Sequence, residues 1–149
     1  MSRRGRYAIR VMIDLAEHMN GKYIPTKEIA DRQDVSLKYM TKIIQVLTKS
    51  GMLDGQHGKG GGYKLSRDPA EYCAGYILRL TEGTLAPVAC IDETDCKCDR
   101  AYECRTRPMW NELDKLISEY LDGITIADLM EGNAANNYVS DVVRNNALV

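Results

Sequence analysis

Between residues 24 and 65 the chain runs through two amphipathic segments and then a glycine-rich hairpin, an order that few folds accommodate. Ile24-Pro25-Thr26 opens a short helix with Thr26 as its N-cap and Ile29 and Ala30 on the buried side, ending near Arg32-Gln33-Asp34. Val35-Ser36 starts a second, with Ser36 as N-cap. Met40, Ile43, Ile44 and Leu47 fall on one face, while Lys38, Thr41, Lys42, Gln45 and Lys49 fall on the other. Gly51 closes it as a C′ glycine. Met52-Leu53 and Tyr63-Lys64-Leu65 then flank a basic, flexible tip, Gln56-His57-Gly58-Lys59-Gly60-Gly61-Gly62. A short helix, a tight turn, a longer helix with a polar outer face and a hairpin make the pattern of a winged helix-turn-helix. A phosphate-cradling loop would need Gly-Lys-Ser/Thr opening a helix, whereas these glycines lead into a strand-like run broken by Pro69. The expected fold is mainly α with a small β-hairpin wing and a long C-terminal dimerisation helix.

The rest of the chain builds around that unit. Ala8, Val11, Met12, Leu15, Ala16 and Met19 form one apolar stripe on a first helix over residues 3–19. Residues 74–82 read as a helix burying Ile77, Leu78 and Leu80, stopped by Gly83. Residues 84–107 lack periodicity and hold four of the five cysteines. Pro108 suits a helix's first turn, and Met109, Leu113, Leu116, Ile117, Tyr120 and Leu121 then make a long apolar stripe. Such a stripe needs cover, from its own domain, from a second copy in a two-fold dimer, or from both. Thr125 and Asp128 cap a last short helix. The expected organisation is a DNA-binding domain over 1–83, a sensor loop over 84–107, a dimerisation helix and short terminal helix over 108–131, and a mobile tail over 132–149.

Charge sharpens this division. The 149 residues carry 20 Lys+Arg and 21 Asp+Glu, a net charge of −1 that by itself argues against a nucleic-acid partner. Residues 1–69 carry 13 basic and 7 acidic side chains, a balance of +6; residues 70–149 carry 7 and 14, a balance of −7. A basic binding half is joined to an acidic half with another task. The apolar run near the start is short and is interrupted by Asp14 and Glu17, so it is no signal peptide, and no stretch is long enough for a membrane helix. A cytoplasmic protein with no membrane partner is expected. The two histidines, His18 and His57, lie near no acid–base pair and no hydrolase motif is present, so an enzyme is not expected.

In a reducing compartment five cysteines point to metal or redox chemistry more than to disulfides. Cys90, Cys96, Cys98 and Cys104 form Cys-x5-Cys-x-Cys-x5-Cys, unlike the Cys-x2-Cys knuckles of structural zinc sites. Thiolates at this density suit a soft metal or an iron–sulfur cluster. A thiol redox switch or a zinc site is the alternative. Cys73 stands apart and reads as a buried small hydrophobe.

Gly5-Arg6-Tyr7-Ala8, Glu28-Ile29-Ala30, Ser36-Leu37-Lys38-Tyr39, Gly60-Gly61-Gly62-Tyr63 and Thr81-Glu82-Gly83 together resemble the bacterial Rrf-type transcription regulators, with IscR-like, NsrR-like and CymR-like branches. The resemblance spans residues 1 to about 131 and is nearest in pattern to the IscR-like branch. It implies a homodimer joined through the long C-terminal helix and bound to palindromic double-stranded DNA. In cluster-binding members a loop before that helix supplies three cysteines.

Outward side chains near the start of the third helix can reach base edges, with cations steering them onto phosphates. Ser36, Lys38, Tyr39, Thr41 and Lys42 hold that face: Lys38 and Thr41 are assigned to base edges, Tyr39 and Lys42 to phosphates. Arg3, Arg4 and Arg6 add backbone contacts, and His57 and Lys59 take the wing tip to a minor groove. IscR-like wings carry an arginine where this chain has His57 and a proline where it has Lys59, and IscR has a glutamate where Thr41 stands.

For the cluster, the family patterns match either Cys90, Cys98 and Cys104 or a first gap of Cys90-x5-Cys96; the former set is preferred, because Cys98-x5-Cys104 occurs in both. The fourth-ligand positions of the two branches hold Arg107 and Arg6 here, so Cys96 is the stand-in, followed by Glu103, Asp92 or Glu93. A 2Fe–2S cluster comes first and a 4Fe–4S cluster second. The expected function is a homodimeric transcriptional regulator that senses iron–sulfur status, oxidant or nitric oxide. The alternative is a cluster-free, CymR-type regulator responding through thiol redox state, a metabolite or a regulatory partner protein.

Overall fold

The computed structural model describes residues 1–92 and 98–132, so Glu93, Cys96 and the tail beyond Gly132 lie outside the described residues. Helix α1 (Arg3–Glu17) starts at Ser2, whose hydroxyl accepts the Arg4 and Gly5 amides at 3.1 and 3.3 Å. Ala8, Val11, Met12, Leu15 and Ala16 are buried along one side. The apolar stripe stops there. The helix ends at Glu17, the chain turns at Gly21, and Met19, expected on the stripe, is 53% exposed.

Helix α2 (Thr26–Arg32) is capped by Pro25, not by the expected Thr26. Extended backbone at Pro25 lets its carbonyl accept the Glu28 and Ile29 amides, and Thr26 becomes the first helical residue. Helix α3 (Leu37–Lys49) has Ser36 as its cap, with the hydroxyl accepting the Tyr39 amide at 3.3 Å. Met40, Ile43, Ile44 and Leu47 are all buried, and Gly51 turns the chain out at φ +75°. Strands β1 (Leu53–Gln56) and β2 (Gly62–Leu65) pair antiparallel in register Leu53–Leu65 to Gln56–Gly62. Tyr63 also exchanges two backbone hydrogen bonds of 2.9 Å with Ile24, tying the wing to the turn before α2.

Helix α4 (Ala74–Glu82) buries Ile77 and Leu78 and ends at Gly83, while Leu80, expected inside, is half-buried. Tyr72, just before it, is buried; its hydroxyl donates to the Met52 carbonyl and accepts the Arg67 amide. Helix α5 (Arg107–Asp122) carries Pro108 in its first turn and contains no buried residue. Helix α6 (Ile126–Met130) opens with a Thr125–Asp128 capping box and packs on α1, with Ile126 inside the same core as α1, α2 and α3. The Ala74 amide donates to Ile124 O and the Ile126 amide to Tyr72 O, at 2.8 and 2.9 Å. Cys73 is half-buried instead of enclosed, because its Sγ stands at the mouth of this junction, 3.9 Å from Asp122 Oδ1.

Two polar junctions fix the helices that the apolar core only brings together. Asp14, buried on α1, accepts two hydrogen bonds from Arg32 Nε and one of 2.6 Å from Arg32 Nη2, and a further one of 2.8 Å from Gln33 Nε2. Glu82, at the end of α4, accepts from the Ser2 hydroxyl, the Ser2 amide and the Gly5 amide. A Cβ on Gly5 would strike the Glu82 carboxylate, so only glycine admits this contact.

Asp14→Ala is expected to lower unfolding stability by about 1–3 kcal/mol, because it leaves the Arg32 and Gln33 donors without their acceptor; urea titration measures it. The Ser2 hydroxyl, followed by the Ser2 and Gly5 amides, holds the Glu82 carboxyl below its ordinary value of 4.5. A lowered carboxylate stabilises the fold above that ordinary value and loses its contribution as pH falls through the lowered one. Below about pH 4.5 wild-type stability should therefore fall more steeply than that of Glu82→Gln, and the two curves should converge at the lowest pH.

Candidate nucleic-acid interface and cysteine segment

The buried side of α3 leaves its other side in solvent. Ser36, Lys38 and Lys42 are exposed, and Lys38 and Lys42 stand one helical turn apart. Thr41 is half-buried, and its hydroxyl donates to Leu37 O at 2.8 Å, leaving the oxygen lone pairs as its outward function. Tyr39 is half-buried: its ring meets Tyr7 of α1 edge to face, with centroids 5.8 Å apart and planes at 89°.

The α1 arginines separate into distinct environments. Arg3 lies against both tyrosines, its guanidinium carbon 5.6 Å from the Tyr7 centroid and 5.7 Å from the Tyr39 centroid. Arg4 turns away and donates to Thr81 O at 2.7 Å, at the end of α4, while Arg6 is exposed. His57 and Lys59 are exposed at the tip between β1 and β2, where the Gly61 amide closes a turn onto Gly58 O. The structure therefore gathers Arg3 and Tyr39, uses the exposed Ser36 hydroxyl as the cap of α3, leaves Lys38, Lys42, His57 and Lys59 exposed, and ties Arg4 to the end of α4. Tyr7 and Arg10 escaped the sequence reading, although Arg3, Tyr7 and Arg10 at i, i+4 and i+7 share one helix face.

In the acidic half, Cys90 sits half-buried on a single 3-10 turn, Ala89–Ile91; Cys98 is exposed; Cys104 is half-buried two residues before Thr106. Thr106 Oγ1 lies 3.3 Å from Cys104 Sγ. That hydroxyl, then the Thr106 and Arg107 amides and the Arg107 charge, hold the Cys104 thiol below its ordinary value of 9.0. Among the described residues no group of three His, Cys, Asp or Glu side chains is arranged to hold a metal ion, so Cys90, Cys98 and Cys104 are not brought together. Cys96 lies outside the described residues.

Beside the cysteines a polar hollow of about 490 Å³ opens between residues 83–92 and α5, lined in part by Arg79, Thr84, Asp92, Arg107, Asn111 and Ser118. Arg107 Nε is buried with no hydrogen-bond partner among the described residues. Arg107 acts on the Cys104 thiol through its charge and its amide, and its unsatisfied Nε–H is a free donor in the same segment. Arg79 and Asp122 close the far side with a two-fold ion pair of 2.6 and 2.9 Å between α4 and α5.

The sequence pattern of the Rrf2 family, described as an iron-dependent transcriptional regulator, matches residues 1–132. The chain is 37% identical to protein rrf2 of Nitratidesulfovibrio vulgaris, over 87% of this chain and 86% of that one. It is 31% identical to the HTH-type transcriptional regulator IscR of Aliivibrio salmonicida, over the whole of this chain and 90% of that one. Among solved structures it is similar to CymR, the global cysteine regulator of B. subtilis, with a TM-score of 0.72 and 29% identity over 88% of this chain and 95% of that one. It is similar as well to T. potens IscR, with a TM-score of 0.69 and 32% identity over 89% of this chain and 86% of that one.

Proposed function

The chain belongs to the Rrf2 family of transcriptional regulators, and from that premise we propose that it acts as a homodimer on palindromic promoter DNA, as a regulator that senses iron–sulfur status, oxidant or nitric oxide through a cysteine-ligated iron–sulfur cluster. The observation that carries the DNA reading is the solvent-facing polar start of α3, with Ser36, Lys38 and Lys42 exposed, presented together with a glycine-rich wing bearing His57 and Lys59. Lys38 and Thr41 are the proposed base contacts; Lys42, Tyr39 and Arg3 serve phosphates, and the wing tip serves a minor groove. Arg4 braces α1 on α4 before it reaches DNA.

A second copy of the chain is the proposed cover for α5, whose Met109, Leu113 and Leu116 are 55%, 38% and 44% exposed. No helix among the described residues is long and apolar enough to cross a membrane, and a cytoplasmic setting is proposed. Cys90, Cys98 and Cys104 would hold the cluster, of 2Fe–2S type in first place, with Cys96 as the fourth ligand. When bound it supplies a centre that changes charge with redox state and is lost to oxidants. Arg107 would neutralise thiolate charge and donate its Nε–H there. The cluster would bias promoter occupancy only by the difference in its affinity for the two states of the protein.

A cluster-free, thiol-switching regulator is the second reading, favoured by the separation of the described cysteines and by the likeness to CymR. On duplex DNA, affinity should fall steeply with ionic strength, and Lys42→Ala, which removes one lysine from each protomer, should lower the log–log salt slope by about 1.8 for every sequence alike. Lys38→Ala should in addition flatten the ranking of operator variants in the same anisotropy titrations. Anaerobic reconstitution should give a visible absorption band together with bound iron and sulfide, all lost in Cys98→Ala. Unchanged iron and sulfide in that variant would reject Cys98 as a ligand, and their absence from wild type would favour the thiol switch.

A further inference from the structure

We propose that Arg10 and Arg3, gathered on the ring of Tyr7, form an additional phosphate-binding set beside the recognition helix, with Tyr7 as the positioning residue that aims both and Tyr39 as its brace. The proposal rests on the DNA-binding reading and adds to it two residues, Tyr7 and Arg10, and a role for a third. Arg10 is held twice. Its guanidinium carbon lies 4.8 Å from the Tyr7 centroid, and its Nε donates to Gln33 Oε1 at 2.8 Å. Arg3 is within 6 Å of two rings, the range in which a cation is attracted to an aromatic face.

The charge arrangement points outward. A surface arginine on a helix ordinarily finds a carboxylate one turn away, and for Arg10 that residue is Asp14. Asp14, however, is buried and committed to Arg32 and Gln33, so Arg10 reaches only the neutral Gln33 amide. Neither Arg3 nor Arg10 forms an ion pair among the described residues. Two guanidinium groups that start seven residues apart on one helix face and converge on a single ring, 5.6 and 4.8 Å from its centroid, repel one another and favour an anion from outside. The perpendicular contact between Tyr7 and Tyr39 joins this face to the first turn of α3. The arginines are thereby presented on the side of α1 that meets the start of α3, the helix that carries Lys38 and Lys42, and the anions of a phosphate backbone are the partner their clustered, unpaired charge fits.

The test uses the full-length protein and a fluorescein-labelled 30-base-pair duplex of mixed sequence, titrated by anisotropy between 50 and 200 mM KCl. Arg10→Ala and Arg3→Ala each remove one arginine from both protomers and should each reduce the salt slope by about 1.8, so that the affinity ratio across this range shrinks about 12-fold per variant. Tyr7→Leu changes no charge, yet it should reduce the slope at least as much, whereas Tyr7→Phe should keep the wild-type slope. Circular dichroism checks that Tyr7→Leu folds; if it does not, Gln33→Leu, also charge-neutral, replaces it and should lower the slope by releasing Arg10. A wild-type slope in Arg10→Ala, in folded Tyr7→Leu or in its replacement overturns the proposal. A wild-type protein whose binding ignores salt overturns the DNA-binding reading instead.

Discussion

The arrangement of the DNA-binding unit depends on the one charged side chain that the described fold buries, Asp14. A carboxylate out of water is costly unless its lone pairs are occupied, and Asp14 has Arg32 and Gln33 from the end of α2 occupying them. Apolar contacts hold α1, α2 and α3 together without direction. The Asp14 cluster sets the rotation of α2 on α1, and α3 follows after a turn of four residues in which the Val35 amide donates to Ala30 O. The same commitment leaves Arg10 without a carboxylate and turns it towards the Tyr7 ring. One buried charge thus orients α3 and organises the cations of α1 beside it.

Helix α5 is built the other way round from an ordinary surface helix. Its polar residues Arg107, Asn111, Asp114 and Ser118 face a hollow within the chain, while Met109, Leu113 and Leu116 face outward. That arrangement suits the second copy and the cysteine chemistry proposed for the two sides of this helix. The Arg79–Asp122 pair and the backbone links of Tyr72 and Ala74 to residues 124–126 fasten the end of α5 to α4. The C-terminal end of α5 is thus fixed to the core that α1 and α4 share.

The helices, the wing and the basic half were legible because each is encoded locally. Ser36 caps where a cap was expected, the Met40–Leu47 stripe is buried, and the strands pair around the glycine tip. Local logic failed where neighbours competed. Pro25 displaced Thr26 as cap, Met19 fell beyond the last turn that α1 could cover, and Cys73 stayed at the surface beside Asp122. Asp14 was read only as a break in an apolar run, although its position between Val11 and Leu15 places it on the buried stripe. Tyr7 and Arg10 were missed because each gains its meaning from a contact outside its own helix.

Which segments are helical, which of their faces are apolar, and that a basic half precedes an acidic half rich in cysteine follow from the sequence alone, since periodicity and charge are properties of short stretches. Only the tertiary structure decided that Asp14 is a buried hub, that Arg4 serves α4 while Arg3 and Arg10 share a tyrosine ring, and that α6 returns to the core of α1. Those outcomes turn on which of several equivalent partners a side chain meets. Partners far apart in the chain are chosen by packing, and packing is settled only when all the helices are in place.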